Sequence, residues 1–188
     1  QVNSVRKLFM ASESGSNGIV AIHDPFSGTS DAAWSTTTAS GATTPSGSPY
    51  TRLVKSDNGF MYWLNGSTVY KIDGGASGGS NGTISSALVF PVNQYLYDGI
   101  SARGKLFLAI NPDISQNIKN NIVTTSKTPT ECGIYVWDRS SAVTSLADFY
   151  PLQGVSQIRR VYIAPNNEIR VIAVGTNRDV MMFNFTGT

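Results

Sequence analysis

One cysteine and one histidine stand in a chain of 188 residues. A lone thiol, Cys132, excludes an internal disulfide, and together with His23 it cannot furnish the ligand set of a structural zinc site. No metal and no cofactor is expected. Charge is scarce as well. Asp, Glu, Lys and Arg make up 14% of the chain, against roughly a quarter in average globular proteins. The formal net charge of +2 is too small for an electropositive footprint, so nucleic acid is not expected as a partner. The densest basic group, Arg159 and Arg160 with Arg170 and Arg178, reads as strand residues on solvent faces. Apolar runs stop well short of the ~20 residues that span a bilayer, so no membrane insertion is expected. Helical periodicity is missing apart from one turn near Ser115 to Lys119.

What the chain does have is a repeated hairpin. An apolar run, a short polar turn and a second apolar run recur four times. Leu8 to Met10 leads to Ile19 to Asp24, and Phe60 to Trp63 leads to Val69 to Asp73. Leu106 to Ile110 then leads to Ile134 to Asp138, and Ile169 to Val174 leads to Val180 to Asn184. The turns Asp57-Asn58-Gly59, Asn65-Gly66 and Asn166-Asn167 carry residues that tolerate positive φ. Flanking strands are expected at Thr51 to Lys55, Tyr97 to Ser101 and Arg159 to Ile163 ahead of the later hairpins. Weaker ones are expected around Trp34, Ala87 to Phe90 and Leu146 to Phe149 behind the earlier ones. Four strands per unit, with units starting roughly every 40 to 60 residues, predict an all-β chain built as an arc of β-propeller-like repeats. The repeats run approximately over 1–49, 50–96, 97–156 and 157–188, within a single all-β domain. Opening on Gln1 and closing without a fourth strand, the chain reads as a fragment of a longer polypeptide. A β-barrel or β-sandwich spike domain is the alternative architecture.

Met61-Tyr62-Trp63-Leu64-Asn65 followed by Val69-Tyr70-Lys71-Ile72-Asp73-Gly74 resembles a blade of the YWTD and NHL β-propellers, in which an aromatic strand precedes one ending in Asp-Gly. Leu64 and Asn65 stand where the YWTD motif has Thr and Asp. From Tyr97 onward the text is similar to propeller-type structural proteins of tailed phages. These resemblances imply a propeller-like fold and a place in a virion.

Chemistry is thinly marked. Gly78-Gly79-Ser80-Asn81-Gly82 matches the nucleophile-elbow pattern, but Gly and Ser crowd both sides and the histidine precedes the serine, so a flexible loop is the expected reading and a hydrolase the last one. Asp24, Asp73 and Asp138 recur at one position of the repeat, which fits a turn role in which a carboxylate accepts backbone hydrogen bonds. Aromatic side chains that could stack on a sugar or anchor a partner are Trp34, Trp63, Trp137 and Tyr150. Sequons stand at Asn65, Asn81 and Asn184. The expectation is a non-catalytic interaction module on an extracellular or virion surface. It would offer the segments Thr29 to Pro49, Gly74 to Ser86 and Asn111 to Cys132 to a receptor, a protein subunit or a glycan, with homo-oligomer formation left open.

Overall fold

A computed structural model describes residues 8–11, 20–23, 35–36, 51–73, 83–91, 94–112, 131–142 and 144–186. The fold is all-β. Its strands form four antiparallel sheets in which neighbours in sequence are neighbours in space. Sheet A joins β1 (Leu8–Ala11), β2 (Val20–His23) and β3 (Ser35–Thr36). Sheet B joins β4 (Thr51–Lys55), β5 (Met61–Asn65), β6 (Thr68–Asp73) and β7 (Thr83–Val89). Sheet C joins β8 (Gln94–Ala102), β9 (Lys105–Pro112), β10 (Gly133–Trp137) and β11 (Phe149–Pro151). Sheet D joins β12 (Val155–Ile163), β13 (Ile169–Gly175) and β14 (Val180–Phe185). Each hairpin read from paired apolar runs is present, as β1–β2, β5–β6, β9–β10 and β13–β14.

Local chemistry explains the turns. The β5–β6 loop holds two residues, Gly66 and Ser67, between the paired Asn65 and Thr68. Gly66 has φ +59°, the first-position glycine that a type II′ turn requires. In the β12–β13 turn, Asn167 adopts φ +63°, a conformation Asn reaches more cheaply than most residues.

The sheets stack face to face. Val54, Tyr62, Leu64, Val69 and Leu88 of sheet B pack against Leu96, Leu106, Leu108, Tyr135 and Trp137 of sheet C. The opposite face of sheet C, with Phe107, Ala109, Ile134 and Val136, packs on Ile158, Val161, Ile169, Val171 and Ala173 of sheet D. Edge-to-face ring pairs lock both interfaces, Tyr62 on Trp137 at 5.8 Å and Phe107 on Phe185 at 5.9 Å between centroids. Such pairs add about 0.5–1.5 kcal/mol beyond the area they bury. Close approach of sheets B and C depends on Gly99, where a Cβ would lie 3.1 Å from Leu108 and 3.2 Å from Leu64.

The first strand of each sheet runs beside that of the next, β4 beside β8 and β8 beside β12. Bulges at Leu96/Asp98 and Ile158/Arg160 interrupt the registers of β8 and β12. They also explain why the expected repeat boundaries at 96/97 and 156/157 fall inside strands: an extra residue breaks the two-residue alternation, so the leading halves of β8 and β12 do not read as strand. The sheets divide instead between Val89 and Gln94, and between Pro151 and Val155.

Two further expectations change. Leu146 to Phe149 was expected as one strand, yet Leu146–Asp148 form a 3-10 turn and only Phe149–Pro151 pair with β10. Ser145 imposes the turn, since its hydroxyl accepts the Ala147 amide at 3.2 Å and its carbonyl the Asp148 amide at 3.2 Å. The loop expected over Gly74 to Ser86 ends earlier, because Thr83 to Ser86 belong to β7 and pair with β6. Among the described residues no sheet closes on itself.

Candidate functional site

Of the aromatic residues singled out in the sequence, Trp63 is fully buried, its ring 5.3 Å from that of Tyr70 between β5 and β6. Trp137 is 4% exposed and donates its indole N–H to the Ser141 carbonyl at 2.7 Å. Tyr150 is half-buried and set edge-on to Phe185 at 5.2 Å. Trp34 lies outside the described residues. The structure does not bring these side chains together: Trp63 belongs to the interior of sheet B, Trp137 to the B–C interface and Tyr150 to the C–D side.

Trp137 nevertheless borders a cavity of about 210 Å³ at the end of β10, with Tyr135, Lys105, Asp138, Ser141, Ser145 and Asp148 in its wall. The wall is ordered by internal bonds. The Tyr135 hydroxyl accepts the Ser145 amide at 2.9 Å, and burial raises the Tyr135 pKa. Asp138 accepts the Ser140 amide at 2.9 Å and the Ser140 hydroxyl at 2.7 Å, and these bonds lower its pKa. This is the turn role read for the recurring acids. It holds the Asp138 carboxylate ionised beside an aromatic wall. The side chains of Asp24 and Asp73 lie outside the described residues, and so does Ser80.

A second polar assembly joins the turns at one end of sheets B, C and D. Asp57, in the β4–β5 turn, accepts the Ser101 hydroxyl at 3.1 Å and the Gly104 amide at 3.1 Å. Arg139, after β10, forms an ion pair with Asp57 and donates to the Ser56 hydroxyl at 2.7 Å and to the Gly104 carbonyl. The guanidinium beside Asp57 holds that carboxyl down at about 2. On the far side of the β8–β9 turn, Arg103 donates to the Asn167 carbonyl at 3.0 Å. Equivalent turns of consecutive sheets are thereby tied together, so they form one fixed surface.

Arg159 and Arg160 stand at exposed strand positions, as read from the sequence, and they also make contacts. Arg160 approaches the buried Asp98 at 4.0 Å and Arg52 reaches it at 2.7 Å, both through Nε. Arg159 donates to the Tyr97 hydroxyl at 3.0 Å. Sequence reasoning missed Arg52 and Asp98 because they stand in different repeats. The only signal was an acid in an otherwise apolar strand.

Cys132 is buried and its thiol pushed up to about 11 by desolvation, so it is a packing residue. Asn65 of the first sequon is 5% exposed inside sheet B, whereas Asn184 is exposed on β14. Asn81 lies outside the described residues, as do the stretches 29–34, 37–49, 74–82 and 113–130 of the expected contact segments. Among the described residues no helix is long and apolar enough to cross a membrane. Comparison with known proteins found no matching family model, curated protein or solved structure.

Proposed function

We propose that this chain is an arc of β-propeller-like units acting as a non-catalytic interaction module displayed on a virion or extracellular surface, in the first instance as a tail- or capsid-associated protein of a phage. The observation that carries the reading is the tying together of equivalent turns by Asp57, Arg139 and Arg103 at one end of three stacked sheets. A surface fixed in this way contacts a partner with little ordering cost, the main tax on loop-mediated binding. In support of the propeller arc, the sheets are antiparallel meanders in sequence order, with their first strands adjacent and their faces packed in series. Low charge and abundant Ser, Thr, Asn and Gly favour surface display.

The test is retention on cells. Fluorescently labelled chain is titrated onto intact bacterial cells, with unlabelled chain as competitor. Saturable, competed retention is the expected outcome. Retention no greater than that of an unrelated all-β protein of equal charge would end the display reading.

A glycan-binding module is the second reading, favoured by the cavity beside Trp137. An aromatic wall with carboxylates and hydroxyls around it is the lining that sugar hydroxyls require. On a printed glycan array, Asp148→Ala should abolish binding to any saccharide the native chain retains, and unaltered binding would remove this cavity from consideration.

A further inference from the structure

We infer that the junction of β4, β8 and β12 is an oxoanion-binding site, suited to the sulfate or carboxylate group of an acidic saccharide. Asp98 is 2% exposed and sits on the first strand of the middle sheet. A buried carboxylate needs a compensating charge and hydrogen bonds. Arg52 supplies the charge at 2.7 Å from Oδ1, as an ion pair whose geometry leaves Oδ1 without a hydrogen bond, and the Val161 amide donates to Oδ2 at 2.9 Å. One arginine neutralises one carboxylate. Arg160, 4.0 Å from Oδ2, and Arg159, which donates to the Tyr97 hydroxyl, are in excess of that one carboxylate.

The surplus is presented outward. The Arg52 and Arg160 side chains are 39% and 53% exposed, and both meet Asp98 through Nε. Their Nη groups have no partner among the described residues, and each keeps the planar donor fork that matches an oxoanion. Their placement has a structural cause. Tyr97 and Arg159 are the extra residues of the β8 and β12 bulges, and they bond to each other at 3.0 Å across the two sheets. Bulges commonly re-aim side chains near functional sites. The irregularity that hides these strands in the sequence is what brings a third guanidinium to the junction.

A single sulfate or carboxylate fits this geometry better than a polyanion. A nucleic-acid strand requires a track of phosphate contacts, and a net charge of +2 over 188 residues leaves one cluster instead of a track. The site is independent of the display reading, since anion titration reads it whether or not cells retain the chain.

The experiment is calorimetric titration with sodium sulfate at constant ionic strength, followed by a sulfated lactose, a sialylated lactose and plain lactose. Saturable sulfate binding in about the millimolar range is expected, with tighter binding of the charged lactoses than of lactose itself. Arg160→Ala and Arg159→Ala should each weaken sulfate by about tenfold. Arg159→Ala leaves the Arg52–Asp98 pair intact, so it keeps the test valid should Arg160→Ala unfold the chain. Preference between the two charged lactoses separates a sulfate ester from a carboxylate as the natural group. Sulfate heats equal to those of chloride, or binding that survives both substitutions together, would overturn the site. Tighter binding of an oligothymidylate than of either charged lactose would overturn the saccharide.

Discussion

Sheets C and D are both antiparallel meanders, of four and three strands, and they differ in what covers them. In sheet C, six consecutive residues of β9 from Leu106 to Asn111 are buried, and so are all residues of β10. In sheet D, β13 alternates strictly between buried and half-buried, and β14 exposes every second residue up to Asn184. Both sheets run as antiparallel meanders, and the difference in burial follows their position in the stack. Sheet C has a neighbour on each face, whereas sheet D rests on sheet C with one face and leaves Val180 at 79% and Met182 at 61% exposure on the other. A strand buried on both faces can be apolar throughout, while one buried on a single face must alternate.

The comparison breaks most sharply with substitutions inside the doubly covered sheet. Leu108→Ala, at a fully buried site in the B–C interface, should destabilise the chain by about 2–5 kcal/mol, since the hole it leaves cannot collapse between two covered faces. Gly133→Ala should cost about 1–3 kcal/mol, because the new methyl would meet the Phe149 ring and the Tyr150 carbonyl where β10 pairs with β11. Chemical denaturation followed by intrinsic tryptophan fluorescence measures both, and a loss below about 0.5 kcal/mol for Leu108→Ala would show that the two faces of sheet C are not equally packed.

Cys132 sharpens the comparison kinetically. It belongs to the core shared by sheets C and D, and desolvation sets its pKa at about 11. Thiolate is therefore scarce at neutral pH, and reaction with a disulfide reagent requires the C–D interface to part. If sheet D separates before the rest, labelling will outrun global unfolding measured under the same conditions. Equal rates would mean that the stack opens as one unit.

Acid tests the polar ties. Asp57 titrates at about 2 in the folded protein, against an ordinary value of 3.8. A depressed folded pKa contributes stability that is complete above the unfolded value and is lost as pH falls through the folded one. The melting temperature should therefore drop between about pH 4 and pH 2 through this group, with Asp138 and Glu168, also lowered, adding to the same fall. Asp57→Asn should flatten part of the drop. A profile that does not change on this substitution would mean the turns are held by packing alone.

The hairpins were legible because each is a local event: an apolar run, a turn residue with access to positive φ, and a second run. Stacking order also followed from sequence order, since short connections place successive meanders side by side. What sequence could not display was the register error at Tyr97 and Arg159, which is why β8 and β12 read short and why Arg52, Asp98 and Arg160 were never grouped. Their proximity comes from strands of three different sheets meeting, and no local pattern records that. The burial of Trp63 and Trp137 was hidden for a related reason. Trp63 and Trp137 are rich in contact surface wherever they are placed, and only packing decides that protein supplies the contact.

The smallest expected effect is the one that defines sheet D. Met182 is 61% exposed on the open face, next to Ile172 in register and 3.7 Å from the Tyr162 hydroxyl. Met182→Ser removes apolar surface that is already largely in water, so stability should move by less than about 0.5 kcal/mol. The same substitution in a face covered by a neighbouring sheet would cost several times more. A loss of about 2 kcal/mol or more would mean that the outer face of sheet D is covered in solution, and sheets C and D would then differ only in which molecule supplies the cover.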